Sequence, residues 1–94
     1  MAITGFHNIS ITVSDAGEAG KWYEDMLGFE IQSDSERTPE FSAAVTGVSG
    51  GTLRVVQLSG NGLLFELMQY LSGAGGIIET SPNNIGSAQV GFLT

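Results

Sequence analysis

Residues 5–15 read GFHNISITVSD, and this stretch decides the fold. Ile9, Ile11 and Val13 fall on one side and Asn8, Ser10 and Thr12 on the other, the period of two that a strand with one covered face requires. Residues 3–13 are therefore predicted as the first strand. Asp15 closes it, with Glu18 three residues on, a spacing that starts a helix because the carboxylate accepts a first-turn N–H that has no partner inside the helix.

Beyond that start, Ala16, Ala19, Tyr23, Met26 and Leu27 recur at helical spacing until Gly28, which predicts a helix over 16–27. Gly17 and Gly20 each cost about 1 kcal/mol relative to Ala inside a helix, so packing rather than propensity must hold it. The expected contacts are Trp22, Tyr23, Met26 and Leu27, with the glycines allowing close approach to a sheet. Residues 29–33 read as a second strand, and the polar, then small and Gly-bearing stretch 35–51 reads as a loop or irregular edge segment.

Two strong strand runs, 52–58 and 63–70, are separated by Ser59, Gly60, Asn61 and Gly62, a hairpin composition. Residues 71–86 are rich in Gly, Ser, Asn and Pro and form the longest breaker segment, after which 88–93 reads as one more strand. The order is strand, helix and three strands, then a linker and a strand with no partner of its own. An apolar strand of that kind must be swapped, paired or covered.

Ninety-four residues make one domain at most, with a thin core that a partner would help. No apolar run approaches the roughly 20 residues that span a bilayer, so no membrane association is expected. Residues 1–5 carry no basic leader, and there is no cysteine, so neither a disulfide framework nor a zinc–thiolate site can form. A reducing cytoplasm is the expected compartment. Ten acidic residues against three basic ones give a net charge of -7, which repels phosphate backbones and excludes nucleic acid as an expected partner. The glycine pairs do not precede a helix with phosphate-binding spacing. The single histidine, with no nucleophile elbow around any serine, gives no hydrolase triad.

With these elements in order, GFHNISITVSD, WYEDMLGFE, LLFELMQYL and GSAQVGFLT resemble the vicinal oxygen chelate superfamily of glyoxalases, bleomycin resistance proteins and extradiol dioxygenases, over nearly the whole chain. The resemblance implies an α+β fold: a βαβββ module over residues 1–72, a linker at 73–86, and the first strand of an incomplete second module at 87–94. It also implies paired modules around a shared site, where a divalent metal (Mn, Zn, Fe, Ni or Mg) is held by residues from the first and last strand of each module. Substrates of such sites chelate the metal through adjacent oxygens.

Aligned backwards from Val13 and Asp15, the family pattern puts its first metal position on Asn8 rather than on His7. Strand parity agrees, placing Asn8 opposite the face of Ile9, Ile11 and Val13. A bulge near residue 7 would turn His7 inward instead. The second position falls on Glu66, a carboxylate in the apolar run Leu63, Leu64, Phe65, Leu67 and Met68, where an uncompensated charge is costly. Glu66 is read either as an exposed strand carboxylate or as a functional one, and the family pattern selects the second, both as metal ligand and as catalytic group. The third metal position falls on Gln89, and the fourth lies past Thr94.

Met68 and Tyr70 share the strand face of Glu66, either lining a substrate cup or packing a core. Trp22, Tyr23 and Phe29 are read as core. Three functions stand open: a metal-dependent isomerase, epimerase, lyase or dioxygenase on a small oxygen-chelating substrate; a metal-free, antibiotic-type small-molecule binding protein, which the amides at ligand positions and the charge favour; or a truncated piece of a longer protein. A homodimer, with or without a swapped strand around Gln89, would complete the site.

Overall fold

A computed structural model describes residues 2–93. The elements run β1 (Ile9–Thr12), α1 (Ala16–Leu27), β2 (Glu30–Arg37), α2 (Pro39–Thr46), β3 (Leu53–Gly60) and β4 (Leu63–Tyr70). The strands form one four-stranded sheet in the order β1-β4-β3-β2. β1 runs parallel to β4, and the other two pairs are antiparallel. Because β1 and β2 take the two outer places, the first and last strands of the module lie side by side.

Local chemistry explains each element. Asp15 adopts an extended backbone and its Oδ1 accepts the Glu18 N–H at 2.9 Å, capping α1 as the spacing predicts. Gly28, at φ 71°, ends the helix in the left-handed conformation that a side chain would strain. The β3–β4 turn is Asn61-Gly62 with φ of 55° and 77°, the positive pair that a tight two-residue hairpin needs. Gly60 therefore pairs with Leu63, and the ladder runs without a break to Leu53 and Tyr70.

One face of the sheet carries the core: Ala16 of α1, Phe29, Val56 and Leu58 of β3, and Phe65 and Leu67 of β4, all buried. Tyr23 joins them, with its ring centroid 5.1 Å from that of Phe65 and 5.9 Å from that of Phe29. Gly20 is the close-approach residue anticipated from the sequence. A Cβ there would stand 3.0 Å from Val56 Cγ1. The helix thus buries its small residues, Ala16 and Gly20, and not the large ones. Trp22 is 52% exposed, Met26 65% and Leu27 37%, which corrects the expectation that these three hold the helix down. An axis drawn close to the sheet by glycine leaves side chains on its flanks in solvent.

Four differences from the sequence reading stand out. β3 begins at Leu53 and runs on to Gly60, because Ser59 and Gly60 pair with Leu64 and Leu63 and leave only Asn61 and Gly62 in the turn. β1 is confined to Ile9–Thr12, the residues in register with β4, with the Val13 N–H donating to the Met68 carbonyl at 2.8 Å just past its end. β2 extends to Arg37, because it pairs with β3 over that whole length. Within 35–51, read as loop, residues Pro39–Thr46 form a helix. Its signals were present: Thr38 Oγ1 accepts the Phe41 N–H at 3.2 Å, Pro39 occupies the first turn, and Gly47 at φ 76° closes it.

Residues 88–93 form no strand. A strand exists only through its ladder, and this segment meets neither free edge of the sheet. Instead Phe92 stacks edge-on against Phe29, centroids 5.8 Å apart. Thr94, the last residue of the predicted strand, lies outside the described residues.

Candidate functional site

The face opposite α1 carries a row of polar side chains, one from each strand. Ser10 of β1 stands opposite Glu66 of β4, Glu66 opposite Gln57 of β3, and Gln57 opposite Ser33 of β2. Hydrogen bonds follow the same order. Ser10 Oγ donates to Glu66 Oε2 at 3.2 Å, Gln57 Nε2 donates to Glu66 Oε1 at 2.9 Å, and Ser33 Oγ donates to Gln57 Oε1 at 2.9 Å. The row extends past β1 through Asn8, whose Nδ2 donates to Ser10 Oγ at 3.0 Å and whose Oδ1 lies 2.8 Å from His7 Nδ1.

Glu66 is the only acid in this row, and each of its oxygens already holds one neutral donor. Neutral hydrogen bonds orient a carboxylate and offset its desolvation, but they leave its charge in place. The chain has three basic residues, and all are engaged elsewhere. Lys21 pairs with Glu24 at 3.2 Å and with Asp25 at 3.1 Å, and the hydrogen bonds it donates to these acids, Asp25 first, raise its pKa. Arg54 grips Asp34 with two bonds, 2.9 and 2.7 Å, which hold that carboxyl below its ordinary value and raise the guanidinium. Arg37 donates to Ser35 and lies over the Phe41 ring, 5.7 Å from its centroid. Among the described residues, no cation compensates Glu66.

Met68 and Tyr70 continue along the same face, opposite Val55 and Leu53, and both of these β3 residues are buried. The face is thus polar around Glu66 and apolar toward Tyr70.

Of the sequence-predicted positions, Asn8 and Glu66 share one hydrogen-bonded network, Met68 and Tyr70 stand on the same face, and Gln89 is outside it, exposed in the segment that joins no ladder. His7 contacts Asn8 and is exposed. Sequence reasoning missed Ser10, Gln57 and Ser33. Ser10 was readable from parity with Asn8, and Gln57 by counting equal steps outward from the Asn61-Gly62 turn to Glu66. Ser33 was not readable, because its register depends on a bulge.

As a metal site this donor set is insufficient. One carboxylate and one amide are available, the amide oxygen faces His7, and among the described residues no three His, Cys, Asp or Glu side chains come together. Hard divalent cations need about six oxygen donors, so residues of this chain alone do not fit one.

The fold and the open polar face define a half-barrel module of the βαβββ kind. Residues 5–93 match the model of the Glyoxalase/Bleomycin resistance protein/Dioxygenase superfamily, and the chain belongs to that superfamily. Among solved structures it is similar to a glyoxalase family protein from Bacillus cereus, with a TM-score of 0.75 and 16% sequence identity. That likeness covers 96% of this chain and 60% of the other, so the chain spans about three-fifths of its length. No curated protein sequence matches the chain. Among the described residues, no helix is long and apolar enough to cross a membrane.

Proposed function

We propose that this chain supplies half of a small-molecule site in which Glu66 is the functional carboxylate and Met68 and Tyr70 form the apolar floor. The observation that carries this reading is the state of Glu66: oriented by Ser10 and Gln57, with no cation among the described residues to neutralise it. Such a group attracts a positively charged or proton-donating guest. Its remaining lone pairs can also accept a hydrogen bond from a bound substrate, the contact from which isomerases and epimerases begin. The proposed domain plan keeps residues 1–72 as the module, 73–86 as linker and 87–94 as the strand that a second module would pair. That module would come from a partner copy in a homodimer or from further chain.

A second reading, a metal-dependent isomerase, epimerase, lyase or dioxygenase, draws support from one feature. The adjacency of β1 and β4 sets Asn8 and Glu66 in one network, as a metal held by first and last strands requires. Further ligands, Gln89 of a second copy among them, would have to complete the shell.

A titration of ¹⁵N-labelled protein separates the two. Benzyltrimethylammonium is expected to shift the amides of Ser10, Glu66, Met68 and Tyr70, phenylacetate to shift none of them, and Glu66→Gln to abolish the response. Equal responses to cation and anion, or a response untouched by Glu66→Gln, would overturn the first reading. Stoichiometric metal in protein purified without chelator, with broadening at Asn8 and Glu66 on adding Mn²⁺, would establish the second.

A further inference from the structure

β2 is not a regular strand. Ile31 pairs with Leu58 and Ser33 pairs with Gln57, so β3 advances one residue while β2 advances two, and Gln32 is the extra residue. A bulge of this kind re-aims a side chain, and bulges gather beside functional sites. Here its effect is specific. In an unbroken ladder the residue after Ile31 would face Gln57 and would be Gln32. With the bulge it is Ser33, while Gln32 Nε2 donates to Ser59 Oγ at 2.9 Å.

The exchange matters because an amide can present either end. A glutamine opposite Gln57 would bring a second long amide against it, whereas a serine hydroxyl is short and can donate or accept, so it meets whichever end Gln57 turns to it. Ser33 Oγ donates to Gln57 Oε1 at 2.9 Å, and the Glu66 carboxylate, which can only accept, takes Nε2 at 2.9 Å and thereby sets the direction of the amide. The opposite orientation would set the Gln57 carbonyl against the carboxylate, two acceptors without a proton between them. We propose that Gln57 is the positioning residue of Glu66, and that the β2 bulge places Ser33 to hold the Gln57 oxygen on the side away from the carboxylate. The proposal rests on the reading of Glu66 given above and deepens it. The Ser33–Gln57 arm fixes Oε1 while Ser10 holds Oε2, so a guest is selected for positive charge or for donor groups, and a second acceptor is refused.

The test uses the full chain and two readouts. In the wild type the Gln57 side-chain amide proton bonded to Glu66 is expected downfield of the same proton in an unbonded glutamine and slower to exchange. Ser33→Ala is expected to move that proton upfield and quicken its exchange, and to weaken benzyltrimethylammonium binding about three- to tenfold, the value of one net hydrogen bond. Ser33→Thr, which keeps the hydroxyl, is expected to restore both, and Gln57→Leu to weaken binding at least as much as Ser33→Ala. Ser59→Ala removes a bond of the same length outside the row and is expected to change neither. A Gln57 signature unchanged in Ser33→Ala would overturn the relay whether or not the cation binds. Absence of cation binding to the wild type would overturn the Glu66 reading, while the Gln57 signature would still decide whether the relay exists.

Discussion

The two faces of the sheet divide the work between residues that are neighbours in sequence. Phe65 and Leu67 point to α1 and are sealed into the core, while Glu66, between them, points the other way into a row of hydroxyls and amides. The helix face is closed by contacts within the chain, down to the Gly20 approach to Val56. The opposite face keeps an oriented carboxylate with no cation beside it among the described residues. Burial of apolar area explains the first face and the Leu53–Val55 end of the second, but not the Glu66 end, since an uncompensated acid on a β-strand adds nothing to a core. What the contrast teaches is that stability and function are separable here at single-residue spacing.

Mutations can break or sharpen that separation. The largest effect is expected on the closed face: Phe65→Ala removes the ring that meets both Tyr23 and Phe29, and should cost about 3–5 kcal/mol by denaturant unfolding. For a small domain that is a large share of the total, which runs to about 5–15 kcal/mol. Gly20→Val forces two methyl groups toward Val56 and should cost about 1–3 kcal/mol. Gly20→Ala should cost less, because a helix gains up to about 1 kcal/mol from that exchange. Phe92→Ala tests whether the C-terminal segment is docked. Loss of its edge-on contact with Phe29 should cost about 0.5–1.5 kcal/mol, and a null result would detach the segment.

The smallest effect belongs to the exposed Arg54–Asp34 pair. Hydrogen bonds from Arg54 depress the Asp34 carboxyl, so its contribution to stability is present above the ordinary carboxylate pKa and is lost as pH falls through the depressed folded value. Asp34→Asn should therefore flatten the acid limb of a stability-versus-pH curve slightly and leave its alkaline limb unchanged. Because both side chains are partly in solvent, salt should diminish the difference.

Much of this architecture was legible in the residues. The alternation of Ile9, Ile11 and Val13, the Asp15 cap, the Gly28 stop and the Asn61-Gly62 turn each specify local geometry by themselves, and the family resemblance followed from their order. The resemblance also singled out Glu66, and parity set Asn8 on the same face, where Ser10 links the two by hydrogen bonds. Three things resisted. The α2 helix was hidden by its small residues, although Thr38, Pro39 and Gly47 marked both ends. Trp22 and Met26 looked like core because amphipathic spacing does not reveal that glycines set the contact side. Ser33 reached its place only through an inserted residue, and a one-residue shift in register inverts parity without leaving a mark in composition. The strand expected at 88–93 illustrates a further limit, since a β pattern becomes a strand only where an edge receives it.

The most direct measurement is the unfolding free energy of Glu66→Gln beside that of Leu67→Ala. Gln at 66 can keep its oxygen toward Gln57 and give its NH₂ to Ser10 Oγ, so the row survives without the charge. Leu67 is fully buried, and truncating it should cost about 2–5 kcal/mol. The account predicts that Glu66→Gln stays within about 1 kcal/mol of the wild type, the scale of one net hydrogen bond, and no longer responds to benzyltrimethylammonium. A loss as large as that of Leu67→Ala, with the cation response intact, would make Glu66 a structural residue and contradict the division between the two faces.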